Sequence, residues 1–194
     1  MSLKHAQNPV IQALLQRRST PAKALTAPSP SEEELQLAIE CGTTAPDHGA
    51  LRPWRVRVMQ DEQRELLADA FGRAFARLNP DATEQAIEAA RSKALRAPTV
   101  IAVASDTRHD VPKVPAFEQV ASTAAFIEHM QLALNAMDYG CVWVTGPLSQ
   151  TKEVKDALGF ADSVDVVGLI QVGTPSVMPP PRKGVDLAQI LISK

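Results

Sequence analysis

With 194 residues, 45% of them hydrophobic and 22% charged, the chain has the length and composition of one sizeable domain, residues 1–194, with a single core. A formal net charge of -2 argues against a dedicated nucleic-acid binder, which carries a strongly basic face. No stretch approaches a membrane span, MSLKHAQNPV lacks a signal-peptide apolar run, and Cys41 and Cys141 are too far apart for a zinc or redox motif; a cytoplasmic protein with free thiols is expected.

Asn8 followed by Pro9 marks a helix start, because asparagine caps free amides and proline suits the first helical position. Val10, Ile11, Leu14 and Leu15 then share one face, and the far end of the helix delivers Arg17-Arg18-Ser19. Pro21, Pro28 and Pro30 make the next stretch an extended loop. Ser31-Glu32-Glu33-Glu34 is a capping box; the helix it opens turns Leu35, Ala38 and Ile39 inward and stops at Gly42.

Arg55 to Gln60 alternates charged and apolar residues and reads as a strand. Helices follow over about Glu62 to Leu78 and Ala82 to Arg96, split by Asn79-Pro80-Asp81. Pro98 to Ser105 has the β-branched, apolar pattern of a buried strand. Phe117 to Tyr139 is a long helix, apolar over much of its circumference and ended by Gly140, so it is buried on several sides, centrally or at a subunit interface.

Cys141 to Thr145 is a strand, Ser149 to Leu158 a short helix closed by Gly159, and Val164 to Val172 a further strand. The tail from Gly173 holds Pro175 and Pro179-Pro180-Pro181, then an apolar end from Val185 to Ile192. Helices outnumber strands, which favours an α+β sandwich with about four strands over a doubly wound parallel sheet.

Dinucleotide-binding, P-loop, serine-elbow and zinc-protease motifs are all missing. His5, His48, His109 and His129 show no ligand-like spacing, so no metal site is expected. Three loop clusters remain. Arg17-Arg18-Ser19, with Lys23 nearby, offers two guanidiniums and a hydroxyl to a phosphate or to ribityl hydroxyls; the alternative is a solvated helix C-terminus, where the dipole favours cations.

Asp47-His48 through Arg52-Pro53-Trp54 is a polar loop between rigid elements, suited to a ligand or to a turn anchored by its Trp. Val144-Thr145-Gly146-Pro147 ends a strand, a common ligand position, and Arg182-Lys183 lies in the tail; the alternatives are a turn and an exposed tail.

Order and spacing make these clusters resemble the nitroreductase family, in particular its short single-domain branch. The likeness rests on Arg17-Arg18-Ser19 at a helix end, Ala45-Pro46-Asp47-His48 followed by Arg52-Pro53-Trp54, Trp143-Val144-Thr145-Gly146 at a strand end, and Gly168 through Gly173-Thr174-Pro175. It spans about Ile11 to Pro175. The resemblance implies a three-layer sandwich with a central, mostly antiparallel sheet flanked by helices, and a homodimer holding two FMN sites at the subunit interface.

On this resemblance Arg17, Arg18 and Ser19 contact the FMN phosphate and ribityl chain, and Thr44 and His48 reach the flavin from the other subunit. Val144, Thr145 and Gly146 line it near the strand end, and Arg182 or Lys183 completes the phosphate site. The implied activity is hydride transfer from NADH or NADPH to FMN and then to a small-molecule electron acceptor such as a nitroaromatic or quinone. The cofactor does the redox chemistry and the protein positions and tunes it, so no side chain is assigned as catalytic.

The chain departs from the family pattern at Ala50, where Asn is usual, and at Arg52, where Gln is usual. Pro21 replaces a basic residue, and Val144 stands where the short branch often has Arg. Loss of one charge-assisted contact weakens binding by about 1.5–3 kcal/mol, roughly ten- to a hundredfold. A flavin-binding carrier or sensor without efficient turnover is therefore the second reading. A hydrolase built on Asp47 and His48 lacks a marked nucleophile.

Overall fold

The computed structural model describes residues 5–192. In chain order the elements are α1 (Pro9–Gln16), β1 (Leu25–Thr26), α2 (Glu32–Gly42), β2 (Trp54–Gln60), α3 (Gln63–Leu78), α4 (Glu84–Arg91), β3 (Thr99–Ser105), α5 (Ala116–Ala136), β4 (Gly140–Val144), α6 (Lys152–Leu158) and β5 (Asp165–Pro175). Single 3-10 turns occur at Ala22–Ala24, His48–Ala50, Ser92–Leu95, Pro147–Gln150 and Leu187–Gln189.

Every strand pairing is antiparallel, and β5 is the hub. It pairs with β3, with β4 and, at its last two residues, with β1; β2 then pairs with β3. The sheet has five strands rather than about four, the extra one being the two-residue β1, too short to leave a period-2 signature. α2 and α5 cover one face through Leu35, Ala38, Phe126, Ile127, Met130 and Leu134, packed on Ile101, Val103, Ile170 and Val172. α3 and α6 cover the other face through Leu67, Phe71, Val154 and Leu158, packed on Val100, Ala102 and Leu169. The result is the expected α+β three-layer sandwich with both sheet faces buried.

Alternation explains how β3 serves both layers: Val100, Ala102 and Ala104 face one, Ile101 and Val103 the other. On β5 the alternation is reset by a bulge. Val103 pairs with Gly168 and Ala104 with Val166, so Val167 is the extra residue. Its carbonyl accepts a bond from the Trp143 indole at 3.1 Å.

The helix ends follow local chemistry. Ser31 Oγ accepts from the Glu34 amide while the Glu34 carboxylate accepts from the Ser31 amide, closing the capping box. Gly159, at φ 72°, caps α6 in the left-handed region. Several boundaries differ from expectation: β5 runs on to Pro175 rather than Val172, and α6 starts at Lys152, after a separate 3-10 turn, rather than at Ser149. α4 gives way to a 3-10 turn at Ser92, and α5 stops at Ala136, before Gly140. Asp138 takes the left-handed φ of 64°, which Asp tolerates, and Asn135 Nδ2 donates to the Tyr139 carbonyl at 2.8 Å. The reversal is thus complete before Gly140, which already pairs with Gly173 in the sheet.

No residue of α1 is buried, and the apolar face expected from its spacing is uncovered: Val10, Leu14 and Leu15 are all exposed. The same holds for Val177, Met178, Val185, Leu187, Ile190, Leu191 and Ile192 in the tail.

Candidate functional site

β4 ends at Val144, and the chain then turns through Thr145-Gly146 into the Pro147–Gln150 turn. This strand end walls a hollow of about 650 Å³ together with α3, the Ser92–Leu95 turn and β5. Its apolar side is made by Leu67, Phe71, Phe75, Leu78, Val100, Val144, Leu148 and Leu169; the polar groups are Asn79, Lys93, Arg96, Thr145, Ser149 and Gln171. The volume suits a small organic ligand, and the lining suits a flat, largely apolar ring with a polar or anionic edge. Ser149 Oγ donates to the Gly146 carbonyl at 2.7 Å, which pins the turn. Gly146 itself is extended (φ 160°) and has open space where a side chain would project, so the backbone is accessible there.

Arg17 and Arg18 lie at a second hollow of about 570 Å³, lined also by Thr20, Asn135, Tyr139 and Thr174 among others. The two hollows share no lining residue and take opposite ends of β4; Thr20 lines this one and Ala22, two positions on, the first. Thr20 is buried and its amide donates to the Cys141 carbonyl at 2.9 Å, which ties the segment to β4. Both arginines have partners. Arg17 Nε lies 3.3 Å from the Glu128 carboxylate of α5, and Arg18 donates to the Leu15 and Arg17 carbonyls at 2.9 Å. Arg18 therefore satisfies carbonyls left over at the end of α1. Ser19 is exposed.

Tyr139, on the wall of the second hollow, donates to Glu34 at 2.8 Å, and this bond raises its phenol above the ordinary value. Glu34 is held below the usual carboxylate range, first by the Ser31 amide and then by Tyr139. Behind the wall Cys141 is buried, with Gln131 Nε2 3.4 Å from its sulfur; burial pushes this thiol up. Cys41 and Cys141 are both unpaired thiols.

Thr44 and His48 sit elsewhere, against α5. Thr44 Oγ1 is 3.0 Å from His129 Nδ1, and His48 Nδ1 is 2.7 Å from Glu118. They line neither hollow of their own chain. In the same loop the Arg52 amide donates to Asp47 at 2.7 Å, while Ala50 and Arg52 adopt left-handed φ values of 51° and 50°. Trp54, at the head of β2, stacks on Phe126 with centroids 5.2 Å apart. Arg182 and Lys183 are in the exposed tail and line neither hollow.

The structure thus brings Val144, Thr145 and Gly146 to one hollow and Arg17 and Arg18 to the other, with Ser19 lining neither. It adds residues the sequence reading did not single out: Lys93, Arg96, Gln171 and the aromatic pair Phe71 and Phe75. Gln171 had a local signal, being the one polar residue in the run Val166 to Val172. Lys93 had none, because a lysine before a strand is an ordinary surface residue. Among the described residues, no group of three or more His, Cys, Asp or Glu is placed to hold a metal ion, and no helix is long and apolar enough to cross a membrane.

A family profile described as the Nitroreductase family matches residues 14–174. YdjA of Escherichia coli (strain K12), a relative named as an NAD(P)H nitroreductase, is 32% identical over 167 residues, covering 86% of this chain and 88% of its own. Among solved structures, a nitroreductase-like family protein from Bacillus cereus superposes with a TM-score of 0.80 at 22% identity, covering 96% of each chain. A nitroreductase with bound FMN from Desulfitobacterium hafniense DCB-2 gives 0.69 at 18% identity, covering 97% of this chain and all (100%) of the other.

Proposed function

The chain belongs to the nitroreductase family, and from that premise we propose that it binds FMN, takes hydride from NADH or NADPH, and reduces a nitroaromatic, quinone or related small-molecule acceptor. The observation that carries the proposal is the hollow at the end of β4, where Val144, Thr145 and Gly146 meet an apolar wall and the cations Lys93 and Arg96. These residues fit an isoalloxazine ring, which needs apolar contact on its faces and polar partners along its pyrimidine edge.

When bound, FMN supplies two-electron redox chemistry. The protein's share is to hold and tune it. In this reading Val144 through Gly146 and Leu169 border the ring, and Lys93 and Arg96 favour negative charge that develops beside them. Arg17, Arg18 and Ser19 would hold the phosphate and ribityl chain, Arg17 exchanging Glu128 for phosphate, with Arg182 or Lys183 completing the anion site. Phe71 and Phe75 exclude water from the apolar side.

Thr44 and His48 reach a flavin in this reading from a second copy of the chain, since in their own subunit they face α5. The exposed apolar residues of α1 and of the tail supply surface for such a homodimer. Retention of a bound ligand without turnover is the second reading; it is favoured by Val144 and Pro21, where basic residues are usual, and by the existing partners of Arg17 and Arg18.

A visible spectrum of the protein with micromolar FMN, followed by NADH or NADPH without oxygen, decides the matter. Bound flavin that bleaches on adding nicotinamide supports the enzyme. Flavin that binds and stays yellow supports the carrier or sensor, and absence of flavin binding overturns both.

A further inference from the structure

Gln171 is an anomaly in the layer where it sits. It lies in the middle of β5, opposite Val100 of β3 and Val142 of β4, and projects among Leu67, Val100 and Leu169 while remaining only 6% exposed. Its amide nitrogen donates to the carbonyl of Lys93 at 2.9 Å, across 78 positions of sequence. Its own carbonyl, Oε1, is buried with no donor among the described residues. A half-satisfied amide in an apolar layer weakens the fold relative to a hydrocarbon side chain of the same shape. Packing alone therefore gives no reason for Gln at this position.

The bond to Lys93 does. Lys93 belongs to the Ser92–Leu95 turn, a single 3-10 turn without a side-chain cap, which connects α4 to β3. Such turns have poor hydrogen-bond geometry of their own. Strand β5 is paired along both edges, and Gln171 links the Lys93 end of the turn to it, while Arg64 of α3 donates to the Leu95 and Ala97 carbonyls at the other end. Both Gln171 and Lys93 line the hollow at the end of β4.

We infer that Gln171 is a positioning residue: by holding the Lys93 carbonyl it fixes the turn so that the lysine ammonium is presented to the hollow. The flavin part of this inference rests on the function proposed above; the anchoring part does not. Because Gln171 acts through Lys93, its effect on a bound anion or flavin disappears once Lys93 is removed.

The test compares Gln171→Met, which keeps length and removes both polar atoms, with Lys93→Met and the double variant. Three readouts are taken on the full chain: amide exchange of residues 92–96 without FMN, thermal midpoint, and FMN affinity by fluorescence quenching. Gln171→Met is expected to speed exchange at 92–96 without lowering the midpoint, and to weaken FMN binding about fivefold or more. In the Lys93→Met background the same change shifts FMN affinity less than about twofold.

Unchanged exchange at 92–96 overturns the inference, as does an equal loss of FMN affinity with and without Lys93. A fall in midpoint with no change in exchange assigns Gln171 to packing and overturns it too. If the unaltered protein takes up no FMN, the flavin reading fails, and the exchange measurement alone decides the anchoring.

Discussion

Gly42 closes α2 directly against the ring of Phe126, and replacing it by alanine is a severe test of the packing described above. A methyl group there would sit 2.7–2.9 Å from three ring carbons, Cε2, Cζ and Cδ2. Non-bonded carbons prefer about 3.5–4.0 Å, so the ring has to recede by roughly 1 Å. Phe126 has nowhere to go: it is fully buried and lies stacked on Trp54. Overpacking of this kind costs about 1–3 kcal/mol. Alanine's higher helix propensity offsets less than about 1 kcal/mol, because Gly42 is the last helical residue. The net expectation is a loss of about 1–2 kcal/mol, or roughly 2–8 °C in Tm for a chain of this size.

Thermal melts and urea titrations with an unchanged m-value measure that loss. Phe126→Leu removes the colliding ring atoms, so the double variant should be at least ~1 kcal/mol more stable than the sum of the two single changes. A Gly42→Ala protein as stable as its parent, or a double variant that is simply additive, would refute the contact.

Three further outcomes are expected. Arg17→Ala should weaken FMN binding at least tenfold, about 1.4 kcal/mol, in a fluorescence titration; unchanged affinity makes the cluster only a helix end. Ala50→Asn should stabilise the protein by about 0.5–1 kcal/mol in thermal melts, since Asn tolerates the left-handed φ of 51° better than Ala; a lower Tm rejects the strain at this loop. Glu153 is held at about 2, mainly by the Arg77 guanidinium bonded to it, so the stability it contributes is present above the ordinary carboxylate value of 4.5 and lost as pH falls toward 2. Arg77→Met should lower Tm at pH 7, with the gap closing between about pH 4.5 and 2; a gap independent of pH rules out this pair as its source.

What could be read beforehand was what local chemistry decides. Ser31 and Glu34 announce a capping box, Gly159 a left-handed cap, and the β-branched run up to Ser105 a strand buried on both faces. The end of α5 was misjudged because Asp138, not Gly140, makes the reversal, and a single side chain's tolerance of the left-handed region leaves no periodic trace. The strand-end residues Val144 to Gly146 were visible as a ligand position. Lys93 and Gln171 were not visible as a pair: strand pairing brings them together across 78 residues, a distance no spacing rule spans. For α1 the apolar stripe was legible, but among the described residues nothing covers it.

The hub role of β5 bears on how the chain is made. Its partners are residues 25–26, 99–105 and 140–144, all synthesised earlier, and its own last paired residue is Pro175. Until β5 has begun to leave the ribosome the sheet consists only of the β2–β3 pair, with β4 and one edge of β3 unpaired. Such edges, flanked by apolar helix faces, are where nascent chains aggregate. Because the pairings that complete the sheet are long-range, folding should be slow. A translation product that stops before Asp165 lacks the centre of the sheet, and its exposed edges make it a substrate for chaperones and proteases.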